Sequence, residues 1–150
     1  MSIFAETSFL CAAHRQQANS PLALEYLGNR SAVIAVTSLV LYEFRQGVHF
    51  QVWLHRHDAT KGYNAKVAAA MLARLEENLA LGILQTLDLD WPAVHGRAGQ
   101  LADRHTTGSG ARGFDLLHVA AALEGQAVEF LSFDGPQREV AAQEGLTVGP

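Results

Sequence analysis

Apolar residues fall along this chain in two alternating patterns: compact runs, and longer stretches with a period near 3.6. The compact runs are Ser2–Ala5, AVIAV at 32–36, ILQTL at 83–87, AVEFLSF at 127–133 and LTV at 146–148. Short runs rich in β-branched and aromatic residues, bounded by turn formers, predict strands. Helical segments separate them. One spans about Ser8 to Gln17. A second opens with Ser20 as N-cap and Pro21 in the first turn, presents Leu22, Tyr26 and Leu27 as its apolar side, and stops at Gly28-Asn29. Thr37-Ser38 caps a long helix reaching about His57. Val67, Met71, Leu75 and Leu79 mark one face of the next, which ends at Gly82. Asp90-Trp91-Pro92 opens a more polar helix ending near His105, and TTGSGARG (106–113) reads as a loop. FDLLHVAAALEGQ (114–126) and PQREVAAQEG (136–145) are the last helices.

Strands alternating with helices predict a three-layer α/β/α sandwich with a mostly parallel sheet of four to five strands. No linker, repeat or low-complexity segment divides the chain, so residues 1–150 are expected to form a single domain. Right-handed crossovers would then bring every strand-to-helix turn to one edge of the sheet.

Composition narrows the function. The chain has 49% hydrophobic and 17% charged residues, and 11 Lys+Arg against 15 Asp+Glu give a net charge of −4. That excludes a polybasic nucleic-acid arm, so RNA binding would rest on a local patch or a bound metal. The lone Cys11 excludes an intrachain disulfide, fits a reducing compartment, and reads as a small buried helix residue. No apolar stretch reaches the ~18 residues of a spanning helix. The N-terminus lacks a basic segment and carries Glu6 in its apolar run. A cytoplasmic protein with no membrane association is expected.

The acids fall at the predicted turns. Glu6 ends the first strand, Glu43 lies about a turn and a half into the helix after the second, Asp115 begins the DLLHVAAA helix, and Asp134 follows the EFLSF strand. In open α/β sheets, ligand sites gather at the carboxyl ends of the strands. Taken singly, Asp115 and Asp134 read as helix caps, Glu43 as a solvated helix residue and Glu6 as an acid at a strand end. Together they point to a cation. Two carboxylates ~4 Å apart repel by about 4 kcal/mol at an effective dielectric of 20, and hard oxygen ligands in an open cleft suit Mg²⁺ or Mn²⁺.

At these residues the sequence resembles the PIN-domain family, the fold of many bacterial toxin ribonucleases of the VapC type. FAETSFL is similar to the family's first motif, an apolar strand ending in Asp-Thr-Ser. TSLVLYEFR resembles its capped helix carrying a Glu. RGFDLLHVAAALEG resembles its third motif, an Asp opening an alanine-rich helix, and FLSFD its fourth. The resemblance covers nearly the whole chain. It implies a PIN-like fold and a metal-dependent endoribonuclease hydrolysing RNA, the toxin of a toxin–antitoxin pair. Glu6, Glu43, Asp115 and Asp134 would be the catalytic, metal-binding acids, with Mg²⁺ or Mn²⁺ as cofactor, and Thr7 and Ser132 the neighbouring hydroxyls. It also implies a cognate antitoxin and a homodimer, for which the helices at Leu22–Leu27 and Val48–Leu54 are interface candidates. Glu6 departs from the usual Asp, moving the carboxylate out by about 1.5 Å.

Other residues bear on the site. His118 shares a helix face with Asp115 and either touches substrate, orients an acid or is a hydrogen-bonded helix histidine. Arg112 and Arg138 flank the third and fourth motif acids, as phosphate contacts or as partners of those acids. His55-Arg56-His57 reads as a solvated helix end. GSGARG lacks the strand-to-helix setting of a dinucleotide turn. An Mg²⁺-dependent receiver domain fits the acids but not the motif order. The runner-up is a PIN-fold RNA-binding or interaction module that has lost efficient catalysis, and Glu6 motivates it.

Overall fold

The computed structural model describes residues 2–15 and 17–150. Among them five strands form one parallel sheet: β1 (Ser2–Ala5), β2 (Ile34–Val36), β3 (Leu84–Thr86), β4 (Ala127–Leu131) and β5 (Thr147–Gly149), in the order β3-β2-β1-β4-β5. A parallel sheet covered on both faces needs continuous apolar strands. Ile3, Phe4 and Ala5 of β1 and all of β2 are accordingly buried. Phe4 stacks on Phe130 of the adjacent β4 at 5.7 Å between ring centroids.

Helices α1 (Thr7–His14), α2 (Ser20–Gly28), α3 (Ser38–His57) and α4 (Ala65–Ala80) connect β1 through β2 to β3 and pack together on one face. α5 (Trp91–Leu101), α6 (Thr107–Ser109), α7 (Gly113–Glu124) and α8 (Gly135–Gln143) belong to the return, and α5, α7 and α8 form the opposite layer. The result is the expected three-layer sandwich. The chain moves outward from β1 to β3, then crosses back to β4 on the other side of β1. The direction of winding therefore reverses between β1 and β4, which makes their carboxyl ends the switch point where α/β sheets bind ligands.

Four local readings change. TTGSGARG is not all loop: α5 runs on into a single wide π-type turn at Ala102–Thr106 and then α6, closed by Gly110 in the left-handed region (φ 68°). Ser20 does not cap α2. Asn19 holds the cap position, while the Ser20 hydroxyl donates to the Arg15 carbonyl and accepts from Gln17 N at 2.9 Å. α2 buries Ser20 and Ala23 and leaves Leu22 exposed, and α4 turns Ala68, not Val67, inward. α1 ends at His14, where Arg15 becomes extended, so its predicted continuation fails; Gln16 lies outside the described residues. No helix among those described is long and apolar enough to cross a membrane.

Candidate active site

The switch point is tied together by backbone and short side chains. Glu6 N donates to the Leu131 carbonyl at 3.1 Å, so the ends of β1 and β4 stay side by side. Glu6 is itself the N-cap of α1. Its Oε1 accepts from Phe9 N at 3.1 Å and from the Ser8 hydroxyl, and that hydroxyl accepts from Phe133 N at 2.8 Å. Glu is a poor choice for a cap compared with Asp or Ser, and its extra methylene places the carboxylate inside the fold, with the residue 4% exposed.

Glu43 is reached from both layers. On α3 its Oε2 accepts from the Thr7 hydroxyl of α1 at 2.6 Å and from His118 Nε2 of α7 at 2.6 Å. A carboxylate acceptor requires His118 to carry its proton on Nε2. The imidazole is 3% exposed, and its Nδ1 is buried with no hydrogen-bond partner among the described residues.

The second pair of acids lies at the amino ends of α7 and α8. Asp115 Oδ2 accepts from Arg112 N at 3.1 Å, and Asp134 Oδ1 from Gln137 N at 3.0 Å. Both therefore cap helices, where the exposed N–H groups favour negative charge. Gln137, buried at 1%, joins them: it accepts from the Ser132 hydroxyl at 2.8 Å and donates Nε2–H to the Asp115 carbonyl at 3.3 Å. Asp134 N in turn donates to Ser132 Oγ at 3.0 Å.

Among the described residues, the hydrogen bonds to Glu43, Asp115 and Asp134 fall on one oxygen of each carboxylate, while Glu6 is held by the Ser8 hydroxyl and by the backbone of Ser8 and Phe9. Carboxylates oriented through one oxygen and open at the other suit a cation ligand, and an all-oxygen donor set fits Mg²⁺ or Mn²⁺ in kind. The side chains are not already closed around one point: no group of three or more His, Cys, Asp or Glu is arranged as a metal cage among the described residues.

The two glutamates are shifted in opposite directions. Burial dominates at Glu6 and raises its carboxyl above the usual range, although the bonds from Ser8 and Phe9 and the nearby His118 partly oppose this. Burial also pulls Glu43 upward, but hydrogen bonds from His118 and Thr7, with the charge of His118, outweigh it and leave Glu43 lowered. Environments that drive two neighbouring acids apart assign them different roles. Cys11 lies in the field of both, and burial first, then these carboxylates, push its thiol up to about 11, an unreactive state.

Of the flanking arginines, Arg112 is exposed at the mouth of α7. Arg138 Nη1 instead donates to the Ser132 carbonyl at 2.6 Å and to that of Gly149, clamping β4 to β5. Sequence reasoning missed Ser8 and Gln137. Asp134-Gly-Pro-Gln137 has the N-cap to N3 spacing of a capping box, which was the available signal for Gln137.

No family model matches the sequence, and neither does any curated protein sequence. Solved structures do match in fold. The crystal structure of Mycobacterium tuberculosis VapC20, a sarcin-ricin loop cleaving toxin, superposes with a TM-score of 0.65 at 19% identity, covering 99% of this chain and 99% of that one. FitAcB from Neisseria gonorrhoeae gives 0.67 at 18% identity over 100% of this chain and 97% of that one. VapBC2 from Rickettsia felis, bound to a promoter DNA fragment, gives 0.66 at 17% identity over 99% and 97%. The chain therefore has the fold of the VapC-type PIN domain, as its motifs imply.

Proposed function

We propose that this protein is a divalent-metal-dependent endoribonuclease, the toxin of a toxin–antitoxin pair. The observation that carries the reading is the tie between the ends of β1 and β4, where Glu6 N bonds to the Leu131 carbonyl, Glu43 is held by Thr7, and Gln137 links the Asp134 turn to the start of α7 at Asp115. The likeness in fold to a toxin that cleaves the sarcin-ricin loop supports RNA as the substrate class.

Glu43, Asp115 and Asp134 would hold the ion, with Glu6 at its border. A bound Mg²⁺ or Mn²⁺ would supply Lewis-acid polarisation of the phosphodiester and a nucleophilic water at neutral pH. The chain's own residues prepare that site. Thr7 and His118 orient Glu43, Gln137 and Ser132 fix the turn before Asp134, and the amino ends of α7 and α8 add positive potential where phosphate charge would arrive. Arg112, exposed three residues before Asp115, would meet a phosphate oxygen in a bidentate manner.

Partners follow the same reading. A cognate antitoxin is supported by the likeness in fold to VapBC2, which is bound to a fragment of promoter DNA. A homodimer is supported by exposed apolar side chains on α2 and α3, among them Leu22, Phe50 and Trp53, each about half exposed. The second reading, a binding module with weakened catalysis, draws on Glu6, whose burial and capping role compete with ligation.

Cleavage of structured RNA with Mg²⁺, Mn²⁺ or EDTA, by wild type and Asp115→Asn, separates the two. The nuclease reading expects cleavage that needs a divalent ion and is abolished by Asp115→Asn. Asn retains an acceptor for Arg112 N, so the fold should survive. Equal cleavage by both proteins, or RNA binding without cleavage in either ion, favours the module.

A further inference from the structure

His118 and Glu43 stand 75 residues apart and belong to helices on opposite faces of the sheet. Their contact spans the carboxyl edge of the sandwich. A buried imidazole is a poor choice for packing: His118 is 3% exposed, its Nδ1 has no partner among the described residues, and its Nε2 bonds to Glu43. An apolar residue of similar size would avoid burying polar atoms there. The contact is better explained by what it does to Glu43. That side chain is 26% exposed, long and rotatable, yet its Oε2 is gripped from two sides, by Thr7 Oγ1 and His118 Nε2, both at 2.6 Å. The remaining oxygen is then fixed in direction.

Resting on the metal-dependent reading above, we propose that His118 is a positioning residue, which together with Thr7 holds Glu43 so that its Oε1 is presented to a divalent cation. Neither residue touches the cation. Both act through the carboxylate, as outer partners that orient a ligand.

The test is Mn²⁺ binding by isothermal titration calorimetry, with thermal unfolding of the same samples. His118→Leu should weaken Mn²⁺ binding about 10- to 100-fold while melting close to wild type, because Glu43 stays solvated. His118→Gln, whose amide can still donate to Oε2, should bind close to wild type. Thr7→Val, on the opposite layer, should weaken binding in the same direction. A merely structural histidine would lower the melting temperature and leave affinity unchanged. Wild-type affinity in folded His118→Leu overturns the positioning role and leaves the nuclease reading intact. Should His118→Leu fail to fold, unchanged affinity in Thr7→Val overturns it instead. No Mn²⁺ binding by wild type overturns the metal-dependent reading, and the positioning role with it.

Discussion

Replacing Glu6 by Asp restores the acid usual in the resembling family and tests what the longer side chain does. Glu6 is 4% exposed, so losing one buried methylene removes about 0.8 kcal/mol of stabilisation. Against this, Asp is among the preferred N-caps, and a good cap is worth about 1 kcal/mol. Its shorter carboxylate still reaches Phe9 N, the third helical N–H of α1. The two effects nearly cancel. For a chain of 150 residues the melting temperature should move by no more than about 2–4 °C. Activity should respond more. Drawing the carboxylate back by about 1.5 Å frees it from its burial against Ser8, and Mg²⁺, which demands near-ideal octahedral geometry, gains most. We expect Mg²⁺-dependent RNA cleavage to rise and the advantage of Mn²⁺ over Mg²⁺ to shrink. The assay is cleavage of structured RNA in each ion, with calorimetric unfolding of the same samples. Lower cleavage in both ions with an unchanged melting temperature would refute the reasoning, because the longer arm would then be required.

Two further predictions use the direction of the titration shifts. Burial raises the Glu6 carboxyl, so its contribution to stability is present below the usual range near 4.5 and is lost as pH rises through the folded value. Glu6→Gln, which keeps the acceptor and cannot ionise, should therefore be more stable than wild type to urea at pH 8 and no different below pH 4.5; a constant gap at both would count against it. Glu144 runs the other way. Burial raises its carboxyl, but His105 at 2.6 Å and Arg104 at 2.9 Å outweigh this and leave it lowered, so its contribution is present above the usual range and is lost as pH falls through the folded value. Glu144→Gln should destabilise the protein at neutral pH, by an amount that vanishes in acid; a difference persisting there would show packing instead of charge at work.

The sequence makes the framework of this site legible and leaves its wiring hidden. Glu6 and Asp134 could be placed at one edge because each directly follows a parallel strand, β1 or β4, and right-handed crossovers bring such turns to the same side. The long helix from Ser38 to His57 has the predicted bounds because Thr37 caps it, its hydroxyl accepting from Val40 N at 3.2 Å, a local interaction that sequence displays. Long-range contacts carry no such mark. The i, i+3 spacing of Asp115 and His118 marked a shared helix face and allowed His118 to orient an acid, but it could not name that acid as Glu43, 75 residues distant. Glu6 as a cap was hidden for the opposite reason: Glu seldom caps helices, so propensity argued against what burial between β1 and β4 imposes. Apolar periodicity placed Met71 and Leu75 of α4 in the core but erred at Leu22 and Val67, which are exposed while Ala23 and Ala68 are buried.

The central claim is that the carboxylates at the switch point hold a divalent cation. Crystals soaked in Mn²⁺ and measured at its absorption edge would locate the ion by anomalous scattering. The account predicts a peak at about 2.1 Å from carboxylate oxygens of at least two of Glu43, Asp115 and Asp134, with Thr7 and His118 still holding Glu43 Oε2. A cleft without a peak at saturating Mn²⁺, or an ion bound only elsewhere on the protein, would contradict it.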